Sequence, residues 1–156
     1  MGIRMTQASA NRVLAKLTKA EKAVDEAVAE AFAEAGALAV NGIRSGEMSN
    51  WQDNTGALRS SIGFAVCRKG RIIKSSGFDT VLNGAEGSEK GRKLCETLAV
   101  EYSRYNFVLI VVAGEEYAAY VEAVESRVVL AGGQLFIEKN IIQMLQDKIN
   151  QAIRRL

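Results

Sequence analysis

The side-chain types that most often catalyse reactions are missing from this sequence or scattered along it. Histidine is absent from all 156 residues, which removes the usual general base near neutral pH and the commonest metal ligand. A Ser-His-Asp site, a Cys-His site and a His-ligated zinc site are therefore excluded. Lysine or carboxylate chemistry has no visible signature. We expect no catalytic residue, no metal and no cofactor, and hence a protein that is not an enzyme.

A glycine-rich, basic segment matches a phosphate-binding loop only in part. Its members are Gly84, Gly87, Lys90, Gly91, Arg92 and Lys93. The P-loop requires lysine directly after its last glycine and then a hydroxyl side chain, because these groups meet the phosphates and Mg²⁺. Arg92 follows Gly91 here, and no hydroxyl follows Lys93. The pattern favours a flexible loop that leads into a basic helix start.

Acidic and thiol side chains offer two further candidates for a site. Carboxylates cluster at Glu115, Glu116, Glu122 and Glu125, and paired acids can bind a divalent metal or transfer protons. No second acidic cluster of matching pattern accompanies them, so exposed charges are the favoured interpretation. The two cysteines, Cys67 and Cys95, fall in a predicted strand and a predicted helix, where buried free thiols are expected.

Basic side chains concentrate in a predicted hairpin over residues 59–74. They are Arg59, Arg68, Lys69, Arg71 and Lys74. Such a strip could face phosphates, so a small nucleic-acid-binding module is an alternative function. The formal net charge of only +2 gives that alternative no bulk electrostatic support. Cations that block unwanted pairing at an edge strand are the favoured interpretation.

Residues 7–44 carry the periodicity of one long helix. Large apolar side chains recur at helical spacing in Leu14, Leu17, Val24, Val28, Phe32 and Leu38. Beside them, alanine recurs every four residues from Ala23 to Ala39, which lets another element approach closely. About 35 helical residues would extend roughly 50 Å, whereas a domain of this length has a radius of gyration of about 15 Å. The helix should overhang its domain unless Gly36 or Gly42 breaks it.

The rest of the chain mixes strands and helices. After a loop at 45–56 we expect paired strands at 58–67 and 71–78, with Gly70 at positive φ in their turn. A loop at 79–87 leads to a helix at 88–104 capped by Ser88, and 106–113 is predicted as a central strand covered on both faces.

A short segment at 117–124 and an edge strand at 127–130 follow, and Gly132-Gly133 marks a turn. The last helix, about 134–155, has apolar residues spaced by three, four or seven from Leu135 to Leu156. The order predicts a single α+β domain over 1–156, with a long N-terminal helix at about 7–44 and an α+β body at about 57–156. Its small, mostly antiparallel sheet should pack against the N-terminal and C-terminal helices.

Two short motifs carry a resemblance. Residues 53–62 (DNTGALRSSI) resemble the D-T-G-x-L-R-x-S-I signature of tailed-phage head–tail joining proteins, also called tail-completion or minor tail-component proteins, with Asn54 as an insertion. Residues 117–122 (YAAYVE) are similar to the Y-A-x-Y-V-E motif of that family. In the family the first motif follows a long helix and opens a hairpin, and the second precedes a closing helix. The chain therefore resembles a divergent member.

The resemblance implies a structural virion protein that forms a homo-oligomeric ring, commonly of six copies, between the portal–adaptor and the tail tube. Such a protein folds in the host cytoplasm and is then incorporated into the neck or tail of the virion. A specific nucleic acid is not an expected partner. A membrane is not expected either, since no apolar run of about 18 residues occurs. The candidate inter-subunit contacts are Trp51, Thr55, Arg59, Tyr117, Tyr120 and Glu122. Glu122 is a candidate partner for Arg59 across the contact, and Trp51 could alternatively be a lid on the core.

Overall fold

The computed structural model describes residues 2–115, 118 and 129–156, and it confirms the α+β class. In chain order the elements are α1 (Gln7–Ser45), α2 (Ala57–Ser60), β1 (Ile62–Arg68), β2 (Arg71–Gly77), α3 (Ala85–Glu101), β3 (Phe107–Ala113) and α4 (Ala131–Arg154). Four predicted elements lie where the sequence predicts them, within a few residues: the long first helix (α1), the hairpin (β1 and β2), the helix predicted at 88–104 (α3) and the last helix (α4).

The three described strands form an antiparallel sheet in the order β2-β1-β3. Among the described strands β1 is the central one, so the predicted central position of 106–113 is wrong there. The predicted cover on both faces is confirmed, because Leu109 and Val111 of β3 pack against one buried cluster and Ile110 and Val112 belong to the cluster on the opposite face. The first six residues of β1 are buried, whereas most of β3 is only partly buried. The turn between β1 and β2 places Lys69 and Gly70 at φ 48° and 83°, so the predicted positive φ of Gly70 is confirmed.

Helix α1 covers one face of the sheet. Ile62, Phe64 and Val66 of β1 form a buried cluster there with Val40 and Ile43 of α1. Neither glycine breaks the helix. At Gly36 an added Cβ would lie 2.6 Å from the Phe64 ring, and at Gly42 it would lie 2.6 Å from the Met48 sulfur. Both glycines therefore mark places where a neighbouring side chain approaches the helix backbone closely.

Helix α4 lies antiparallel along α1 and follows the alanine row. Near its start, an added Cβ on Gly133 would lie 3.5 Å from the Ala39 Cβ. Further along, Lys148 pairs with Glu34 at 3.1 Å, and Ala152 borders the same groove as Ala27. The neighbour expected beside the alanines is thus this helix of the same chain. The predicted turn at Gly132-Gly133 is wrong, since both residues lie in the first turn of α4, where they admit Met48 and Ile43.

Helix α3 covers the opposite face of the sheet. Ala65 and Cys67 of β1 pack there against Cys95 and Ala99 of α3, together with Phe78. The helix begins at Ala85 with Gly84 as its N-cap residue, so the predicted cap by Ser88 is wrong. Ser88 is instead buried inside the first turns, and its hydroxyl lies 3.1 Å from the Thr80 hydroxyl.

Two predicted elements fall largely outside the described residues. Of the short segment at 117–124, only Ala118 is described, and it is buried. Of the edge strand at 127–130, Val129 and Leu130 are described as a bend that leads directly into α4.

Candidate assembly surface

The first twelve residues of α1 project past the rest of the described chain, and we call this part (residues 7–18) the arm. Thr6 caps the helix, since its hydroxyl oxygen accepts from the Ser9 backbone N–H at 3.1 Å. Every residue of the arm is exposed except Ala10, which is partly buried. The end of α4 reaches α1 only at Lys19, where Leu156 borders the same groove. The arm is roughly 18 Å long, so the predicted overhang is present.

One side of the arm is apolar and uncovered. Ala10, Val13, Leu14 and Leu17 lie at i, i+3, i+4 and i+7, which places them on one side of the helix. The exposed fractions of Val13, Leu14 and Leu17 are 46%, 64% and 62%. Single exposed apolar residues are ordinary, but a row at helical spacing is how an amphipathic helix meets a partner. Val13 was not among the predicted residues of this stripe, although its spacing of three from Ala10 and four from Leu17 would have identified it.

The segment over 53–62 is built around the carboxylate of Asp53. One oxygen accepts from the Gly56 N–H at 2.9 Å, and the other accepts from the Arg59 N–H at 2.8 Å. Asp53 thereby holds the turn that starts α2. The Thr55 hydroxyl accepts from the Ala57 N–H at 3.2 Å. Asp53 was predicted only as part of a motif, although an Asp shortly before a helix could have indicated that its carboxylate accepts from N–H groups at the helix start.

The two serines of the same segment tie it to distant parts of the chain. The Ser60 hydroxyl oxygen accepts from the Val81 N–H at 2.8 Å. The Ser61 hydroxyl oxygen accepts from the Glu115 N–H at 3.3 Å, and its backbone carbonyl accepts from Gly114 at 3.1 Å. Both serines are fully buried. The segment also places Leu58 and Ile62 in the core.

Trp51 and Arg59 lie against each other beside this segment. The Arg59 guanidinium carbon is 5.5 Å from the centroid of the Trp51 ring. Trp51 is only 8% exposed and belongs to the core cluster, which agrees with a lid on the core. The Trp51 Nε1 and the Arg59 Nε are buried, and neither has a hydrogen-bond partner among the described residues. The inter-subunit roles of Trp51, Thr55 and Arg59 stay predictions.

The other three candidate contacts, Tyr117, Tyr120 and Glu122, lie outside the described residues, as do Glu116 and Glu125. The proposed pairing of Glu122 with Arg59 therefore stays a prediction. Glu115 is described and buried, and it pairs with Lys90 at 3.2 Å. Within residues 2–115, 118 and 129–156, no group of three or more acidic or cysteine side chains could hold a metal ion.

The glycine-rich, basic segment is a packed helix start, and the predicted flexible loop is wrong. An added Cβ would lie 2.1 Å from the Ser60 Oγ at Gly84, and 2.2 Å from the Ala57 carbonyl oxygen at Gly87. At Gly91 it would lie 2.3 Å from the Ser61 carbonyl oxygen. The three glycines therefore let α3 press against α2 and the start of β1.

The cations of this segment have partners within the chain. Lys90 bridges Glu115 and Glu86, each at 3.2 Å, and these hydrogen bonds raise its pKa above the ordinary lysine value. Arg92 lies over the Phe78 ring at 6.0 Å, and Lys93 pairs with Glu89 at 2.7 Å. These contacts account for the basic residues without a phosphate.

The hairpin cations do not form one continuous strip. Arg68 pairs with Asp25 of α1 and lies 5.3 Å from the centroid of the Phe107 ring. Arg59 lies over Trp51, as described above. The remaining cations, Lys69, Arg71 and Lys74, are exposed on the turn and on β2, which is an edge strand of the described sheet. This position agrees with the interpretation that they block strand pairing.

The two cysteines are buried and unpaired, as predicted. Burial raises the pKa of the Cys67 thiol, and it raises the pKa of Cys95 to about 12, with a smaller contribution from neighbouring Cys67. Thiols held protonated in this way are poor nucleophiles. They act here as small apolar side chains between β1 and α3.

No protein-family model, no curated protein and no solved structure matches this chain. Among the described helices, none is both long enough and apolar enough to span a membrane.

Proposed function

We propose that this protein is a structural assembly component of a tailed-phage or prophage particle, where its copies form a ring between the portal–adaptor and the tail tube. The observation that carries the proposal is the arm, whose apolar side is exposed and has no partner among the described residues. The two motifs that resemble those of head–tail joining proteins support the choice of a phage neck or tail as the assembly in which the arm makes its contact. No catalytic step is part of the proposal.

The arm suits a contact that is weak alone and stable in a closed assembly. Burying an exposed Leu or Val completely contributes about 1.5–3 kcal/mol. Val13, Leu14 and Leu17 are about half to two-thirds exposed, so their burial would contribute about 3–5 kcal/mol in total. Association costs about 4–15 kcal/mol in lost freedom, so a single arm contact is marginal. A closed ring has one more contact than the open chain of the same copies, so closure favours a discrete oligomer.

The body of the protein suits the role of a rigid mount for the arm. The charged side chains that could have formed a site are engaged within the chain: Asp53 accepts from the Gly56 and Arg59 N–H groups, Lys90 pairs with Glu115, and Arg68 pairs with Asp25. The unbroken α1 connects this body directly to the arm. A contact made at the arm is therefore transmitted to the sheet without a flexible joint.

The alternative function, a nucleic-acid-binding module, has a smaller basis. Arg59 and Arg68 lie against Trp51 and Asp25, which leaves Lys69, Arg71 and Lys74 as the exposed cations of the hairpin. A ring on the DNA exit path could also bind DNA weakly through charge. Binding that depends on DNA sequence would favour the alternative.

Native mass spectrometry across a wide concentration series tests the proposed function. We expect a discrete closed oligomer for the unaltered protein and monomers for the double variant Leu14→Glu/Leu17→Glu. Glutamate keeps the helix, since its helix propensity resembles that of leucine. The matched control is Val100→Glu, because Val100 is 70% exposed on α3, far along the chain from the arm. It should assemble like the unaltered protein.

Two results would contradict the proposal. One is an arm variant that assembles as the unaltered protein does. The other is absence of the chain from purified particles of the phage or prophage that encodes it, as measured by quantitative peptide mass spectrometry.

A further inference from the structure

Four charged side chains along α1 are exposed and form no ion pair with any described residue. They are Lys19, Lys22, Glu26 and Glu30, and we call them the charge stripe. At about 100° per residue they occupy a strip about 80° wide on the side of the helix opposite Leu17. Neighbouring charges differ in this respect, since Asp25 pairs with Arg68 and Glu34 pairs with Lys148.

The charge stripe forms a ridge on the protein surface. One groove separates it from the end of α4 and another separates it from the hairpin, and Lys22, Glu26 and Glu30 border both grooves. Along the helix the stripe runs as two cations followed by two acids. Ala15 and Ala33 continue the same strip beyond its two ends.

We propose that the charge stripe is a docking surface for the charge stripe of a second copy, with the two α1 helices antiparallel. The order of charges is self-complementary under a two-fold rotation at the level of residue 24, as an isologous contact requires. Lys22 then faces Glu26 of the second copy, and Lys19 faces Glu30 of the second copy. One contact therefore forms four lysine–glutamate pairs. In the same alignment Ala15 lies opposite Ala33 of the second copy, and these small side chains let the helices approach closely.

Charge complementarity decides the occupant. A partner of one sign, such as a nucleic acid or an acidic protein surface, attracts only half of the stripe and is repelled by the other half. A second copy offers both signs in the matching order.

The direction of the second copy follows from the room that each arrangement leaves. A parallel copy shifted by seven or eight residues also sets lysine against glutamate, but the shift along the axis is only about 11 Å. That is less than the radius of gyration of one domain, about 15 Å. The antiparallel arrangement instead separates the centres of the packed parts of the two helices, 27–43, by about 33 Å along the axis.

The groove walls add two cations that have no ion-pair partner among the described residues. Arg155 of α4 borders the same groove as Lys19, where Glu30 of the second copy arrives, so it strengthens the contact. Lys74 of β2 borders the other groove beside Glu30, where Lys19 of the second copy arrives, so it weakens the contact. These two effects oppose each other, which leaves the four pairs of the stripe as the net attraction.

A contact made by exposed ion pairs depends on salt, because each pair contributes little. The Debye length is about 30 Å at 0.01 M salt and about 8 Å at 0.15 M. We expect pairing at about 0.01 M salt and separate copies at about 0.15 M, with a dissociation constant that rises at least about tenfold between them. Since the stripe lies opposite Leu17, paired copies keep the apolar side of the arm free. The inference therefore goes beyond the proposed ring and does not depend on it.

Charge reversal in a background without the arm contact tests the inference. Leu14→Gln/Leu17→Gln removes the apolar side of the arm and keeps its net charge and helix propensity. In this background Lys19→Glu/Lys22→Glu makes the stripe wholly acidic, and Glu26→Lys/Glu30→Lys makes it wholly basic. In analytical ultracentrifugation at about 0.01 M salt, each variant alone should be monomeric, because like charges meet. Their equimolar mixture should give a heterodimer, because all four pairs are restored.

The matched control reverses two exposed acids on α3. Glu96→Lys/Glu101→Lys has the same net charge as the variant with the basic stripe. Mixed with the Lys19→Glu/Lys22→Glu variant it should give no heterodimer, because only two of the four facing pairs are then lysine with glutamate. General attraction between oppositely charged proteins would make the two mixtures alike.

Disulfide trapping in the same background tests the direction. Ala15→Cys and Ala33→Cys, placed on separate copies and mixed under mild oxidation, should cross-link. Neither variant should cross-link alone, because the two-fold rotation separates the two copies of residue 15 by about 27 Å along the axis. A parallel pair would bring residue 15 beside residue 22 or 23 and would give no link. The native Cys67 and Cys95 are buried and do not compete.

Three results would overturn the inference: a Leu14→Gln/Leu17→Gln protein that is monomeric at low salt, a dimer that salt does not weaken, and a heterodimer that the α3 control reproduces. None of them bears on the ring, which depends on the apolar side of the arm. Loss of the ring, in turn, would leave the charge-reversal result unchanged.

Discussion

Replacing Asp53 by alanine should destabilise the whole fold although the side chain lies at the surface end of a loop. Its two carboxylate oxygens accept from the backbone N–H groups of Gly56 and Arg59 at 2.9 and 2.8 Å. These N–H groups belong to the turn that positions Leu58, which is 1% exposed in the core. Losing the carboxylate therefore loosens the connection between α2 and β1 as well as the cap itself.

The magnitude follows from the number of bonds. A hydrogen bond to a charged group contributes about 1.5–3 kcal/mol, and losing an N-cap side chain typically costs about 1 kcal/mol. Both N–H groups are only part-buried, so water replaces part of each bond. We expect Asp53→Ala to cost about 2 kcal/mol, or roughly 4–8 °C in Tm for a chain of this size. Asp53→Asn keeps one acceptor oxygen and should cost about half as much.

Urea unfolding followed by fluorescence provides the assay, because Trp51 is the single tryptophan and is buried. The matched control is Asp79→Ala. Asp79 pairs with Arg44 at 3.1 Å, but its side chain is 82% exposed, so its loss should cost less than about 1 kcal/mol. Equal midpoints for Asp53→Ala and the unaltered protein, at equal slopes, would refute the reasoning, and so would an equally large effect of Asp79→Ala.

Two further expectations concern backbone strain and thiols. Gly56→Ala should lower the free energy of unfolding by at least about 3 kcal/mol, because φ is 80° and the new Cβ would lie 2.0 Å from the Val81 carbonyl oxygen. The control is Gly46→Ala, which has φ 89° and nothing within 4 Å of the new Cβ, and it should lose only about 1 kcal/mol. Equal losses for the two variants in urea unfolding would contradict the close approach of Val81 to Gly56. The stability advantage of the unaltered protein over Cys95→Ala should be complete below about pH 9, where the unfolded thiol is protonated, and should fall by about 1.4 kcal/mol per pH unit as pH rises towards the folded pKa of about 12. A constant difference between the two proteins from pH 8 to pH 11 would show that Cys95 ionises as readily in the fold as in the unfolded chain.

The helices were predictable because their periodicity is a local property. The spacing of Leu14, Leu17 and Val24 indicates a helix whether or not the side chains are buried. The same spacing does not say what covers them, so the partial burial of Val24 and the exposure of Leu14 follow from where α4 ends. The overhang was nevertheless predictable from length alone, since a helix of 39 residues exceeds the dimensions of the domain.

The order of the strands was not predictable from composition. Residues 106–113 predict a central strand because nearly all of them are apolar, yet β1 is the central strand of the described sheet and the more deeply buried one. The small residues Gly63 and Ala65 explain this, because they allow Phe78 and α3 to approach one face. A propensity argument undervalues such residues, since their contribution is space for a neighbour.

The candidate site was predictable in its motifs and less so in its contacts. The segment over 53–62 was singled out correctly as a structural unit, but the partners of Ser60 and Ser61, at Val81 and Glu115, lie 21 and 54 residues away along the chain. No local pattern encodes such pairings. The seven-residue spacing of α4 suggested a stripe, and only the packing of α1 decides which side of the helix faces outwards.

Because α1 is one continuous helix that is packed at one end and exposed at the other, its backbone amide protons should exchange with solvent at two very different rates. Between Ala27 and Ile43 the helix packs against the sheet and α4, with Glu34 and Leu38 exposed on its remaining side, so its amide protons should exchange with solvent mainly when the whole domain opens. In the arm no other described element covers the same hydrogen bonds, and exchange there requires only fraying from Thr6 inwards. Amide exchange along this one helix should therefore range from seconds in the arm to the rate of global unfolding in the body. A neighbouring copy bound to the arm would slow exchange there without changing a single backbone angle.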